Sequence, residues 1–128
     1  MKAIQELLLV GCGGMFGAIA RYGIALLATG WFQIRFPLGT LLANVLGCFL
    51  IGLLIGSGIG ESNPKAKLFL GVGFLGSLTT FSTFSAETIQ SATDGFPVTS
   101  VANVVANLAL GFIAVVIGIA IAKKVSGV

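Results

Sequence analysis

Four stretches of this chain are apolar almost without interruption. Residues 7–29 carry one charge, Arg21, and residues 38–60, 68–86 and 98–122 carry none. A helix that crosses a bilayer needs about 20 apolar residues. Within hydrocarbon every backbone group must be bonded internally, so these runs predict helices rather than open strands. The predicted spans are 4–29, 38–60, 67–92 and 98–122, forming one four-helix transmembrane domain over residues 1–128. The first run is too long for the apolar part of a cleavable signal, and no small-residue cleavage site ends it. The connectors are short and leave no room for an extramembrane domain, so the work is expected inside the bilayer.

Polar positions within the runs fall on faces. Thr40, Asn44 and Cys48 are four apart in the second span, and Asn103, Asn107 and Gly111 repeat that spacing in the fourth. Residues four apart stack on one side of a helix, so each span presents a narrow polar lane. Polar side chains at membrane depth are costly and tend to mark function. A single asparagine is adequately explained as an interhelical hydrogen bond, whereas three on two lanes favour a hydrated or ion-lined path. Gly13 and Gly17, then Gly52, Gly56 and Gly60, are also spaced by four. That spacing admits close helix approach, either within one subunit or at a dimer seam. Four short helices enclose little, so a homodimer is expected.

The third run departs from good helix chemistry. Gly71, Gly73 and Gly76 precede Ser77, Thr79, Thr80, Phe81, Ser82, Thr83, Phe84 and Ser85. Glycines followed by β-branched and hydroxyl residues make a poor helix interior. A break between residues 76 and 80 would free backbone groups at membrane depth, which is tolerated only in protein or beside a cavity and recurs in ion sites. Carbonyl oxygens suit a hard monovalent cation. The alternative is a kinked helix whose hydroxyls bond back to the preceding turn.

Composition narrows the chemistry. Charged residues make up 9% of the chain and mean hydropathy is +1.08, against roughly 25% charged in a soluble domain. There is no histidine, which removes the usual general base, zinc ligand and nucleophile activator. An ordinary enzyme is not expected. The net charge of +3 is scattered over connectors, without the basic face that nucleic acid requires. Lys2, Lys65, Lys67, Lys123 and Lys124 share one membrane face, with Arg35 and Arg21 towards the other. The positive-inside rule then places the termini in the cytoplasm. Cys12 and Cys48 lie inside predicted helices and read as small packing residues rather than a disulfide or metal motif.

The segment GFLGSLTTFSTFSAET (residues 73–88), with GAIARYG (17–23) and GTLLANVLG (39–47), resembles the Fluc or CrcB family of bacterial fluoride channels, and the likeness extends over the whole chain. The resemblance implies an all-α membrane protein of four transmembrane helices with the third broken, assembled as an antiparallel, dual-topology homodimer in the bacterial inner membrane. It implies passive, fluoride-selective export that lowers toxicity, through two pores per dimer, around a central structural Na⁺. By the same resemblance Phe81 and Phe84 are the pore phenylalanines, Asn44 the pore asparagine and Arg21 the helix-one arginine. Ser82 and Thr83 are the flanking hydroxyls, and Glu87 is the acidic residue at the end of the lane. The backbone carbonyls of Gly76 and Thr79, from both subunits, would hold Na⁺. Asn103 and Asn107 stand where some members carry tyrosine and serine. The lysine bias also departs from the balanced charge expected of dual topology.

These residues suit the ion. Fluoride is a small, strongly hydrated acceptor, so a pore must replace its water with donors. Thr40, Asn44, Ser82 and Thr83 carry N–H or O–H groups, and the amides of Asn103 and Asn107 can also donate. Phe81 and Phe84 are three apart, and aromatic rings have positive edges that hold an anion weakly enough to release it; ordinary packing is the alternative. Arg21 raises the potential near a pore mouth or pairs with polar groups at a subunit interface, with snorkelling to the surface as the alternative. The competing class is a small multidrug-type proton-coupled exchanger, which needs a carboxylate deep in the first helix. Here that helix carries Arg21, with Glu6 at its edge. A purely structural membrane subunit would leave the polar lanes unexplained.

Overall fold

The computed structural model describes residues 1–31 and 35–127. In chain order the elements are α1 (Lys2–Trp31), α2 (Leu38–Gly56), α3 (Ile59–Ser62), α4 (Pro64–Ala66), the π-helix π1 (Lys67–Leu75), α5 (Gly76–Leu78), α6 (Phe81–Thr93) and α7 (Pro97–Ser126), with no strand among the described residues. Among the described residues four segments are long and apolar enough to cross a membrane: Lys2–Thr29, Leu38–Gly56, Pro64–Thr93 and Pro97–Ser126. The third is composite, built from α4, π1, α5 and α6.

Local chemistry sets the boundaries. α2 ends at Gly56, short of the predicted residue 60, because Gly58 adopts φ +66°, a left-handed conformation that glycine enters without a Cβ clash. The third span starts on an N-cap. The Asn63 side chain accepts from the N–H groups of Lys65 and Ala66, both at 3.1 Å, with Pro64 at the first helical position. α7 begins on Pro97 and closes with Lys123 and Lys124 in its last turn before Gly127 at φ +71°. Cations there oppose the negative end of the helix dipole.

Packing relies on glycine. α2 lies against α7 so closely that a Cβ on Gly52 would strike the carbonyl of Val115, and one on Gly118 the carbonyl of Phe49. α1 lies equally close to π1: a Cβ on Gly17 would meet the carbonyl of Phe74, and one on Gly73 that of Val10 at 2.6 Å. The glycine pairs 13/17 and 52/56 thus serve contacts within the chain. Gly60 stands outside that pattern, facing only side-chain atoms of Leu54 and Lys67. In lipid, close backbone approach and van der Waals contact replace the hydrophobic drive between helices. Large apolar side chains accordingly point outward, Leu7 71% exposed and Phe112 69%.

Candidate functional site

The third span opens between α5 and α6. Thr79 (φ −84°, ψ 155°) and Thr80 (φ −149°, ψ 122°) are extended, inside the expected interval. In an unbroken α-helix the N–H of residue i bonds to the carbonyl of residue i−4, so Thr80 would pair with Gly76 and Thr83 with Thr79. Instead the Thr80 N–H donates to Asn44 Oδ1 at 2.9 Å, and the Thr83 N–H donates to Thr80 Oγ1 at 3.2 Å. Gly76 and Thr79 thereby lose the helical donors of their carbonyls, and among the described residues no backbone bond outside the helices replaces them. The back-bonding alternative is realised beside the break: Thr79 Oγ1 donates to the Leu75 carbonyl at 3.0 Å.

Asn44 grips Thr80 from both sides, since its Nδ2 also donates to the Thr80 carbonyl at 3.3 Å. A side-chain amide on α2 stands in for the peptide group that the break removed. From there a ladder runs into α7 and back to α6. Asn44 Nδ2 donates to Asn107 Oδ1 at 2.9 Å, Asn107 Nδ2 to Asn103 Oδ1 at 2.9 Å, and Asn103 Nδ2 to Thr88 Oγ1 at 2.8 Å. Thr88 Oγ1 donates in turn to the Phe84 carbonyl at 2.7 Å. Asn107 Nδ2 also reaches the Asn103 carbonyl at 3.0 Å. Both amide hydrogens of Asn44 and both of Asn107 are therefore taken within the protein.

Four recesses follow one another along the molecule. One of about 330 Å³ lies at the α2–π1 hairpin, beside Glu61 and Lys67, and shares Ile51 and Gly71 with a groove of about 460 Å³. That groove is bordered by Asn44, Cys48, Gly76, Thr79, Phe81, Phe84 and Asn107. It meets a third recess of about 240 Å³ at Thr80, where Arg21, Tyr22, Thr40, Thr83 and Glu87 gather. Glu87 in turn borders a fourth of about 620 Å³ with Arg35, Asp94 and Phe96. The Arg35 guanidinium sits 4.4 Å above the Phe96 ring at that outer mouth. α6 starts where the second and third recesses join, and a helix N-terminus carries partial positive charge.

The predicted residues are brought together in two groups about Thr80. Phe81 is 80% exposed and its ring lies 5.7 Å from that of half-buried Phe84, tilted by 50°. Both face the groove, with Asn44, Asn107, Gly76 and Thr79. Thr40, Thr83, Glu87 and Arg21 line the next recess instead; Thr40 Oγ1 donates to Glu87 Oε1 at 2.8 Å, while buried Oε2 has no partner among the described residues. Ser82 is exposed and its hydroxyl lies 3.3 Å from that of Thr80. Asn103 is fully buried and borders none of these recesses. Cys48 borders the groove beside Gly111, consistent with a packing role. Sequence reasoning missed Thr80 as the α6 cap and Thr88 as the partner of Asn103. The cap carries a signal, a threonine three residues before another hydroxyl at the start of a helix; Thr88 carries none.

An all-helical chain with four apolar spans, opened in the third at an asparagine-held break, is a multi-pass membrane protein. The chain belongs to the family described as CrcB-like protein, Camphor Resistance (CrcB), whose profile matches residues 8–119. It is 45% identical over 116 residues to a protein of Shewanella pealeana, covering 90% of this chain and 94% of that one. It is 44% identical over 115 residues to one of Dehalococcoides mccartyi, covering 88% of each. Both relatives are named fluoride-specific ion channel FluC, a non-enzymatic function.

Proposed function

We propose that this chain forms a passive, fluoride-selective channel that lets fluoride leave the cell across the bacterial inner membrane and so limits its toxicity. The observation that carries the proposal is the pair of recesses that share Thr80 as a lining residue, with the Phe81–Phe84 pair bordering the larger, in a chain similar to named fluoride channels. Tilted rings expose positive edges. With the Asn44 and Asn107 amide hydrogens engaged and the Ser82 hydroxyl turned to Thr80, those edges and the Thr83 hydroxyl are the donors that an anion meets, in the positive field of Arg21 and the α6 N-terminus. Thr40 and Glu87 continue the route towards the Arg35 mouth. An exchanger coupled to protons is disfavoured: in α1 the sole carboxylate is Glu6, exposed near the helix start.

The proposal extends to an antiparallel, dual-topology homodimer with two pores and a central structural Na⁺. Gly76 and Thr79 fit such an ion, because the break strips both carbonyls of their helical donors and leaves Gly76 exposed on the single chain. Bound Na⁺ would supply the positive charge that freed carbonyls otherwise lack, and a second copy would supply the remaining oxygens.

The test is efflux from fluoride-loaded liposomes with a potassium counter-leak and chloride as control. Rapid, proton-independent fluoride loss is expected, and replacing Phe81 or Phe84 with isoleucine, which keeps apolar bulk without the ring edge, cuts it sharply while the dimer survives. Equal chloride passage, or a requirement for a proton gradient, overturns the channel reading.

A further inference from the structure

We infer that Asn103 and Thr88, neither of which borders a recess, are positioning residues for the Phe81–Phe84 pair, acting through the asparagine ladder. The ladder's direction is fixed at both ends by backbone groups with no choice of role. The Thr80 N–H can only donate, which sets Asn44 Oδ1 towards it and Nδ2 towards Asn107. The Asn103 carbonyl can only accept, which sets Asn107 Nδ2 towards it. With Nδ2 so placed, Asn107 offers Oδ1 to Asn44, and the two constraints agree. The last rung, Asn103 to Thr88, ends on the carbonyl of Phe84.

The ladder therefore starts at the residue before Phe81 and finishes on the backbone of Phe84. At one end it holds Thr80 against α2 through Asn44, at the other it holds Thr88 against α7 through Asn103, and the first turn of α6 lies between them. That turn carries both rings. Asn103 is 0% exposed, so an anion in the groove does not reach it, and its amide is committed to Thr88. This assigns the α7 asparagines to holding the rings rather than to contacting the ion. Thr88 joins them for its hydroxyl, which accepts from the Asn103 amide and donates to the Phe84 carbonyl.

The transport readout rests on the channel reading proposed above, so the experiment carries a second measurement that does not. Thr88→Val keeps the shape of the side chain and removes the hydroxyl, whereas Thr88→Ser keeps the hydroxyl. Thr88→Val is expected to lower fluoride efflux at least tenfold and to narrow the fluoride-over-chloride ratio, with Thr88→Ser within about twofold of the parent chain. Thr88→Cys, with a weak thiol partner, falls between the two and serves if the valine variant does not assemble. In the same proteins, hydrogen exchange of backbone amides in the segment 80–84 rises for Thr88→Val and stays at the parent level for Thr88→Ser. Parental efflux and exchange in Thr88→Val, or equal losses in the valine and serine variants, overturn the inference. If the parent chain moves no fluoride while the exchange pattern holds, the channel reading fails and the ladder stands.

Discussion

Replacing Asn44 with leucine tests how the broken span is held. The change removes three hydrogen bonds at once: from the Thr80 N–H, to the Thr80 carbonyl, and to Asn107 Oδ1. Leucine gains little in return, because lipid tails solvate it as well as the protein interior does. Interhelical hydrogen bonds in membrane proteins average about 0.6 kcal/mol and reach about 1.7. Three of them give about 2 kcal/mol at the average and about 5 at the top of that range. The lower figure is favoured, since Thr80 is half-buried and borders two recesses, so its freed N–H costs less than the roughly 1–3 kcal/mol of a fully buried orphan. Even 2 kcal/mol changes the folded-to-unfolded ratio about thirtyfold. Reversible unfolding by SDS in mixed micelles measures the loss, and liposome efflux measures the consequence for the rings. An Asn44→Leu protein with the parent's unfolding midpoint and the parent's efflux would refute the idea that this amide replaces a missing peptide group.

Gly52→Val should abolish monodisperse protein by size-exclusion chromatography, because its Cβ runs into the backbone of α7, whereas Gly23→Ala, with nothing within 4 Å of the added carbon, should elute as the parent does. Exchanging Na⁺ for a large organic cation on both sides of the membrane should destabilise the dimer and suppress efflux; sodium-independent dimer stability and efflux would remove the ion from the Gly76–Thr79 carbonyls.

The fold was legible where charge was absent. Four uncharged or nearly uncharged runs locate the spans, and the glycine-to-hydroxyl change after Gly76 locates the break, because those residues have little to lose by leaving a helix. The end of α2 was less legible, since residues 57–60 are as free of charge as the helix and the left-handed turn at Gly58 ends it. The site was half legible. Four-residue spacing put Asn103 and Asn107 on one face, but spacing cannot say which helix opposes that face, and the partner proved to be Thr88 on the neighbouring helix. Asn44 read as a donor to an ion; the structure commits its amide to Thr80 and Asn107. Helical periodicity also cannot distinguish an α-helix from the wider coil of π1.

That wider coil has a geometric consequence. A residue in an α-helix advances the chain by about 1.5 Å and turns it by about 100°, while a π-helix closes its hydrogen bonds one residue further on. Deleting a single residue from π1, and so letting the rest close as an α-helix, would make each remaining residue turn the chain further than it does in the wider coil. That added turn offsets the turn lost with the missing residue, so the carbonyls on Gly76–Leu78 would keep close to their present bearing. π1 thus takes up a residue that a strictly α-helical span would pass on as a rotation of about 100°.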